Sequence, residues 1–183
     1  MRKINELFYS LQGEGFHTGT PAVFIRFSGC NLKCDFCDTR HESGTLMTDE
    51  ELLERVSAFP CRMVILTGGE PGLWIDDDLV EKLHALGKYV AIETNGTCVL
   101  PEAIDWVTCS PKQGGKLNVK RIDEVKVVYT GAGQDVESYL ALPALHYFLQ
   151  PCSCSNTEEV IAYIKAHPQW RLSLQTHKLI HIS

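Results

Sequence analysis

Long apolar runs are what this 183-residue sequence most plainly lacks. The longest is five residues, Val160 to Ile164, against the roughly 20 that a membrane-spanning helix needs. No hydrophobic signal segment follows Met1-Arg2-Lys3-Ile4-Asn5-Glu6. A basic excess is missing as well: 17 Lys and Arg stand against 23 Asp and Glu, a net charge of −6. That balance argues against a protein built to grip phosphate backbones or an anionic membrane face. No repeat period, Gly/Ser linker or low-complexity tract divides the chain, so a single domain over 1–183 is expected. What is present in quantity is cysteine, eight in all. Without an export signal a reducing, cytoplasmic compartment is expected. Thiols there serve as metal ligands, redox groups or small buried hydrophobes rather than as disulfides. A chain of this length can bury a core without disulfides.

Short β-branched or aromatic runs predict seven strands: 22–27, 63–66, 89–93, 104–109, 125–129, 145–149 and 171–175. Several are unbroken apolar runs, as in strands covered on both faces. Helical patterns lie between them. Thr48 with Glu51 makes a capping box for a helix through about Phe59. A second helix runs from Asp76 to Leu86 with Gly87 as its stop, and a third from Asp135 to Leu142. Asn156 with Glu159 predicts the cap of a fourth, which ends near Pro168. Strands alternating with helices imply βαβ units and a mostly parallel sheet, with ligands at the carboxyl ends of the strands. A complete eightfold barrel takes about 250 residues, so the expectation is an incomplete barrel or a compact open sheet.

Cys30, Cys34 and Cys37 follow directly on the first of these predicted strands with C-x3-C-x2-C spacing. Thiolates bind soft metals and iron–sulfur clusters, and such close spacing lets one loop wrap a single centre. A closed structural zinc site takes four protein ligands, whereas three leave a position open for something else. The bland alternative is a zinc knuckle that borrows a fourth ligand such as His41.

The spacing, with aromatic Phe36 before the third cysteine, resembles the signature of the radical S-adenosylmethionine (SAM) enzymes. Leu66-Thr67-Gly68-Gly69-Glu70-Pro71 at the end of the second predicted strand resembles that superfamily's GGEP motif. Glu93-Thr94-Asn95-Gly96, Ser110-Pro111-Lys112 and Gln150-Pro151 stand at further strand ends, where the sheet rule puts a ligand. The implied fold is α/β, an incomplete (β/α) TIM-like barrel of the radical SAM type, in one radical SAM domain. The implied cofactors are a [4Fe-4S] cluster held by Cys30, Cys34 and Cys37, and SAM contacted by Phe36, Cys37, Asp38, Gly69, Ser110, Pro111 and Lys112.

Ser10-Leu11-Gln12-Gly13-Glu14-Gly15, Arg26, Asp38-Thr39 and Gln175-Thr176-His177-Lys178, taken in order, resemble the 7-carboxy-7-deazaguanine synthase family from about Glu6 to Lys178. That resemblance implies a lyase acting on 6-carboxy-5,6,7,8-tetrahydropterin, with hydrogen abstraction at C6, ring contraction and loss of ammonia. It implies Mg2+ at Thr39 and substrate contacts from Leu11, Gln12, Gly13, Glu14, Arg26 and Thr67. Arg26 offers a planar fork suited to a carboxylate. His177 and Lys178 are expected near the substrate. Many family members end in a proline whose carboxylate reaches the substrate; here Ser183 would take that place. The resemblance further implies a cytoplasmic homodimer, a flavodoxin or ferredoxin as electron donor, and no direct contact with nucleic acid or membrane.

Two alternatives stand beside this reading, a glycyl-radical activase with the same cysteine spacing and a zinc or electron-transfer module without SAM chemistry. Of the other cysteines, Cys61, Cys98 and Cys109 read as buried thiols. Cys152 and Cys154 form an unexplained Cys-x-Cys pair at a strand end.

Overall fold

The computed structural model describes residues 1–182. Among them nine strands form one sheet: β1 (Arg2–Leu11), β2 (Pro21–Phe27), β3 (Thr45–Met47), β4 (Met63–Gly68), β5 (Tyr89–Thr94), β6 (Trp106–Cys109), β7 (Glu124–Tyr129), β8 (His146–Pro151) and β9 (Arg171–Leu172). Their order is β3-β1-β2-β4-β5-β6-β7-β8-β9. From β2 to β9 every pairing is parallel, while β1 pairs antiparallel with both β2 and β3. The helices are α1 (Asp49–Ser57), α2 (Asp77–Ala85), α3 (Thr157–Ala166) and the single turn α4 (Thr176–Leu179).

Alternation along each strand sends its side chains to two different places. On the outer face Val23, Ile25, Val64, Leu66, Val90 and Ile92 pack under Leu52 and Val56 of α1 and Leu79 and Leu83 of α2. Each of these helix residues is fully buried, worth about 1.5–3 kcal/mol relative to exposure. A second outer cluster joins Val125, Val127 and Leu149 to Val160 of α3 and to Trp170. The inner face changes character along the strands. At their amino ends it is apolar, with Ala22, Phe24, Met63, Ile65, Ala91 and Trp106 in one cluster. Toward their carboxyl ends it turns polar, with Arg26, Thr67, Glu93 and Gln150. The polarity gradient thus puts the site at the carboxyl ends.

The sheet is not closed by strand pairing. Residues 12–20, the β1–β2 loop, lie across the gap instead: the Gly13 carbonyl accepts from both the amide and the hydroxyl of Thr176, each at 2.9 Å. Further along, the Gly15 amide donates to Ser173 Oγ at 2.9 Å.

Several expected elements hold and others are corrected. Thr48 and Glu51 form both bonds of the capping box on α1, and Asp76 caps α2 through the Leu79 amide. Asn156 does not cap α3: its side chain accepts from the Cys152 amide and donates to the Tyr129 carbonyl. The expected helix over 135–142 is only a 3-10 turn at Glu137–Ala141, because Leu142 is held extended ahead of Pro143. The last expected strand pairs only at Arg171 and Leu172. β1 and β3 went unpredicted. The register shift between Ile4 and Glu6 breaks the alternation that marks a strand, and β3 is three residues long. β1 is anchored at its start by buried Arg2, which meets Asp49 and Asp76 at 2.8 Å each and the Trp74 carbonyl.

Candidate active site

Two adjoining cavities open at the carboxyl ends of the strands, of about 780 and 500 Å3. Cys30, Cys34, Phe36, Cys37, Gly69, Ser110 and Lys112 border the larger. Leu11, Gln12, Gly13, Arg26, His177 and Lys178 border the smaller. Glu14, Asp38, Thr39, Thr67 and Glu93 border both. Of the expected site residues, Pro111 is buried and does not line either cavity, and Ser183 lies outside the described residues.

The cysteine loop is anchored by the turn beside it. Glu70 donates its amide to the Gly29 carbonyl at 2.9 Å, and a Cβ at Gly69 would come within 2.0 Å of that same oxygen. Only glycine permits that approach. The Glu70 carboxylate points into the fold rather than the cavity, accepting from Thr94 Oγ1, the Asn95 amide and the Gly72 amide at 2.7–2.8 Å. Burial pushes its pKa up despite those three donors. Asn95 donates to Asn31 at 3.0 Å, and Asn31 in turn donates to Thr97 at 2.7 Å, tying the loop to the end of β5.

All three loop cysteines are free thiols and border one cavity. Among the described residues no three His, Cys, Asp or Glu side chains converge as a cage for a single metal ion. His41, the fourth ligand of the zinc alternative, borders the same cavity with Nδ1 buried and without a hydrogen-bond partner. Lys112 folds back onto Ser110, bonding its carbonyl and hydroxyl at 2.7 and 2.6 Å. Burial lowers the Lys112 pKa, and Cys34 opposes that shift. Three soft thiols in one loop are a donor set suited to a cluster with one coordination position left free, and the Lys112 cation lies beside them. Next to it the Thr39 hydroxyl and Asp38 offer hard oxygens of the kind Mg2+ prefers.

The smaller cavity is lined by charge. Arg26 bonds Glu6 through Nε at 2.9 Å and lies over the Phe8 ring, leaving its two Nη groups without a partner among the described residues. Lys178 reaches Asp38 at 2.6 Å, and Gln175 bridges Asp38 and Glu14 at 3.2 and 2.9 Å. Burial would raise the Asp38 pKa, but Lys178 and Gln175 outweigh it and hold it low. Below these sits Lys126, which pairs with Glu14 at 2.7 Å and Glu93 at 2.8 Å. Gln12 Nε2 also donates to Glu93, at 3.0 Å. Glu14 is held low because Lys126 and Gln175 outweigh its burial, whereas burial leaves Glu93 raised.

Lys126 was not among the site residues expected from the sequence, and Glu93 stood there only as part of a strand-end motif with no role given. The one local signal was a lysine and a glutamate two positions apart, Glu124 and Lys126, inside an otherwise apolar strand.

The model of the Radical SAM superfamily matches residues 24–110. The 7-carboxy-7-deazaguanine synthase of Bacteroides thetaiotaomicron is 71% identical over 182 residues, covering 100% of this chain and 99% of that protein. The chain belongs to the 7-carboxy-7-deazaguanine synthase family. The synthase of Nitratidesulfovibrio vulgaris is 42% identical over 212 residues, covering 98% of each chain. The crystal structure of QueE from Escherichia coli superposes with a TM-score of 0.80 at 32% identity, over 94% of this chain and 93% of that one. The open sheet is an incomplete TIM-like barrel. Membership in the synthase family also brings the [4Fe-4S] cluster, SAM and Mg2+.

The remaining cysteines are mixed. Cys109 is fully buried, with its thiol pushed up to about 12 by burial, while Cys61 and Cys98 are half-buried. Cys152 borders the larger cavity, and Ser153 and Cys154 beside it carry φ of 46° and 63°, an uncommon backbone for residues other than glycine.

Proposed function

We propose that the chain converts 6-carboxy-5,6,7,8-tetrahydropterin to 7-carboxy-7-deazaguanine and ammonia, in one radical SAM domain spanning residues 1–183. The observation that carries this reading is the shared wall: a three-thiol cavity and a charged cavity meet at Asp38, Thr39 and Thr67. A cluster-and-SAM centre on one side can therefore act on a substrate held on the other. When bound, the reduced cluster and SAM would supply a 5′-deoxyadenosyl radical for reversible hydrogen abstraction at substrate C6.

The chain's own residues bind and orient. Cys30, Cys34 and Cys37 hold the cluster, with Phe36, Asp38, Gly69, Ser110, Pro111 and Lys112 forming the SAM subsite. Pro111 acts there by fixing the backbone between Ser110 and Lys112. Arg26 meets the substrate carboxylate with its Nη groups, Leu11, Gln12, Gly13 and Glu14 read the pterin edge, and Thr67 lies between the two ligands. Thr39 would supply a hydroxyl to Mg2+, a hard ion that prefers oxygen ligands. A homodimer, a flavodoxin or ferredoxin as reductant, and a cytoplasmic location complete the reading. No described helix is long and apolar enough to cross a membrane.

The test is an anaerobic incubation of cluster-reconstituted protein with SAM, reductant, Mg2+ and 6-carboxytetrahydropterin, read by mass spectrometry. The deazaguanine acid is expected, with SAM largely unconsumed. Protein that cleaves SAM yet yields no such product would overturn the assignment.

A further inference from the structure

β7 departs from its neighbours. The inner face is apolar at the amino ends of β2, β4, β5 and β6, yet β7 turns Glu124 and then Lys126 inward. Glu124 is only 1% exposed. Its Oε2 accepts the Phe16 amide at 3.0 Å, and its Oε1 is buried without a hydrogen-bond partner. The carboxyl also closes on Gly15, where a Cβ would come within 2.1 Å of Oε1. We propose that Glu124 is a positioning residue that seats Gly15 and Phe16, so that Glu14 just ahead of them reaches Lys126 and the substrate cavity. The identity of that substrate rests on the reading above; the seating of the loop does not.

Charge decides the form in which Glu124 works. Lys126 is a single ammonium facing three interior carboxylates, Glu14, Glu93 and Glu124, and only the first two pair with it directly. Three ionised carboxylates would leave buried negative charge uncompensated, which protonation relieves. Glu124, without a direct ion pair, is the group that keeps the proton. Burial pushes its pKa up to about 7; Lys126 and the Phe16 amide oppose this, and Glu93 and Glu14 add to it. Its other polar neighbours are two histidines and two hydroxyls. The register partner on β8 is His146, stacked on Phe16, and on β6 it is Thr108, which accepts from Trp106. His17 of the same loop packs against Trp106, its pKa lowered by burial and by His146. Ser173, beyond β9, takes the Gly15 amide. Loss of the Glu124 proton would set a third negative charge beside Lys126 and draw the ammonium from Glu14 and Glu93.

Glu124→Gln keeps the acceptor for Phe16 and mimics the neutral acid, so it separates seating from titration. In the reconstituted holoenzyme with SAM, KM for 6-carboxytetrahydropterin and kcat are measured from about pH 6 to 9. The wild-type KM should rise above about pH 7, approaching tenfold per pH unit if only the protonated form binds substrate tightly. The Glu124→Gln enzyme should keep the low-pH KM throughout. A parallel rise in both enzymes, or a fall in kcat at unchanged KM in the variant, would overturn the proposal.

Thermal unfolding of the same holoproteins gives a readout independent of substrate. A carboxyl raised from its ordinary 4.5 to about 7 keeps in the folded state a proton that the unfolded state releases. Stability is therefore lost as pH rises through that window. The Tm of Glu124→Gln should gain on wild type between about pH 5 and 8, and an unchanged difference would refute the neutral buried acid. If Glu124→Gln shows this gain on wild type but the wild type makes no deazapurine, the functional reading alone falls.

Discussion

Replacing Lys126 by methionine removes the ammonium that pairs with Glu14 and Glu93, and keeps most of the side chain's length and apolar bulk. The lysine side chain is 5% exposed and its two partners 18% and 19%, so neither carboxylate can turn freely to water. Breaking a buried pair by deleting one partner costs about 3–5 kcal/mol, because the charge left behind is uncompensated. A protein of this size has only about 5–15 kcal/mol of net stability. At about 2–4 °C per kcal/mol, the expected fall in Tm is about 6–20 °C. The sign with pH follows from Glu14. In the wild type Lys126 holds it below its ordinary value of 4.5, a contribution present above that value and lost as pH falls. Without Lys126, burial drives both carboxylates up. The folded variant then binds protons that its unfolded chain releases, and its deficit grows as pH rises. The assay is denaturant unfolding of reconstituted Lys126→Met and wild type at about pH 5 and 8, with the larger deficit expected at pH 8. A deficit equal at both pH values would mean that lost packing, not charge, sets the cost. No deficit at all would refute the pairing argument.

Arg26→Ala should retain SAM cleavage yet raise the substrate KM by about 10- to 150-fold, as expected for losing a charged hydrogen bond of about 1.5–3 kcal/mol. Cys34→Ala should instead abolish iron loading, measured as iron per chain; an Arg26→Ala enzyme with unchanged KM would remove that residue from the site. Gly69→Ala brings a Cβ to 2.0 Å from the Gly29 carbonyl and should cost about 1–3 kcal/mol and lower iron incorporation together. Full iron loading in a folded Gly69→Ala protein would show that the turn does not set the cysteine loop. Gly15→Ala combines a φ of +66° with contact to Glu124, and should lower stability by at least the roughly 1–2 kcal/mol of a left-handed residue. Unfolding at the wild-type denaturant midpoint would contradict that.

What could be read in the residues was what local order encodes. Met63-Val64-Ile65-Leu66 offers no polar residue to a solvent face and became a strand buried on both sides. The cysteine triad, the Gly-Gly-Glu-Pro turn and Ser110-Pro111-Lys112 fall at strand ends because parallel sheets place their loops there. Three features escaped for physical reasons. β1 carries a bulge that breaks its alternation. The helix expected before Pro143 had too little chain between a turn at Thr130–Gln134 and the extended Leu142 to exceed one 3-10 turn. The Lys126 network joins β7, β5 and the β1–β2 loop, segments far apart in sequence, and no periodicity along one segment encodes such a contact.

The incomplete barrel gives that network its reason. A closed barrel fills its interior with layers of side chains from strands on all sides. Here the sheet stops at β9, and the β1–β2 loop enters the space that closing strands would occupy. One short segment therefore does two tasks. Its Gln12 and Glu14 face the cavities, while Gly15 closes on Glu124 and the half-exposed Phe16 stacks on Trp106 and His146. The two glycines of Gly13-Glu14-Gly15 are explained by protein on either side rather than by a ligand: a Cβ at Gly13 would meet His177 at 2.1 Å, and one at Gly15 would meet Glu124 at 2.1 Å. With the loop pinned between them, the only side chain of the three that can project is Glu14. A buried lysine beneath it is what keeps that carboxylate ionised and pointed at the cavity. On the proposed function, recognition of a small anionic heterocycle by this fold thus depends on charge balance inside the barrel as much as on the residues that line its mouth.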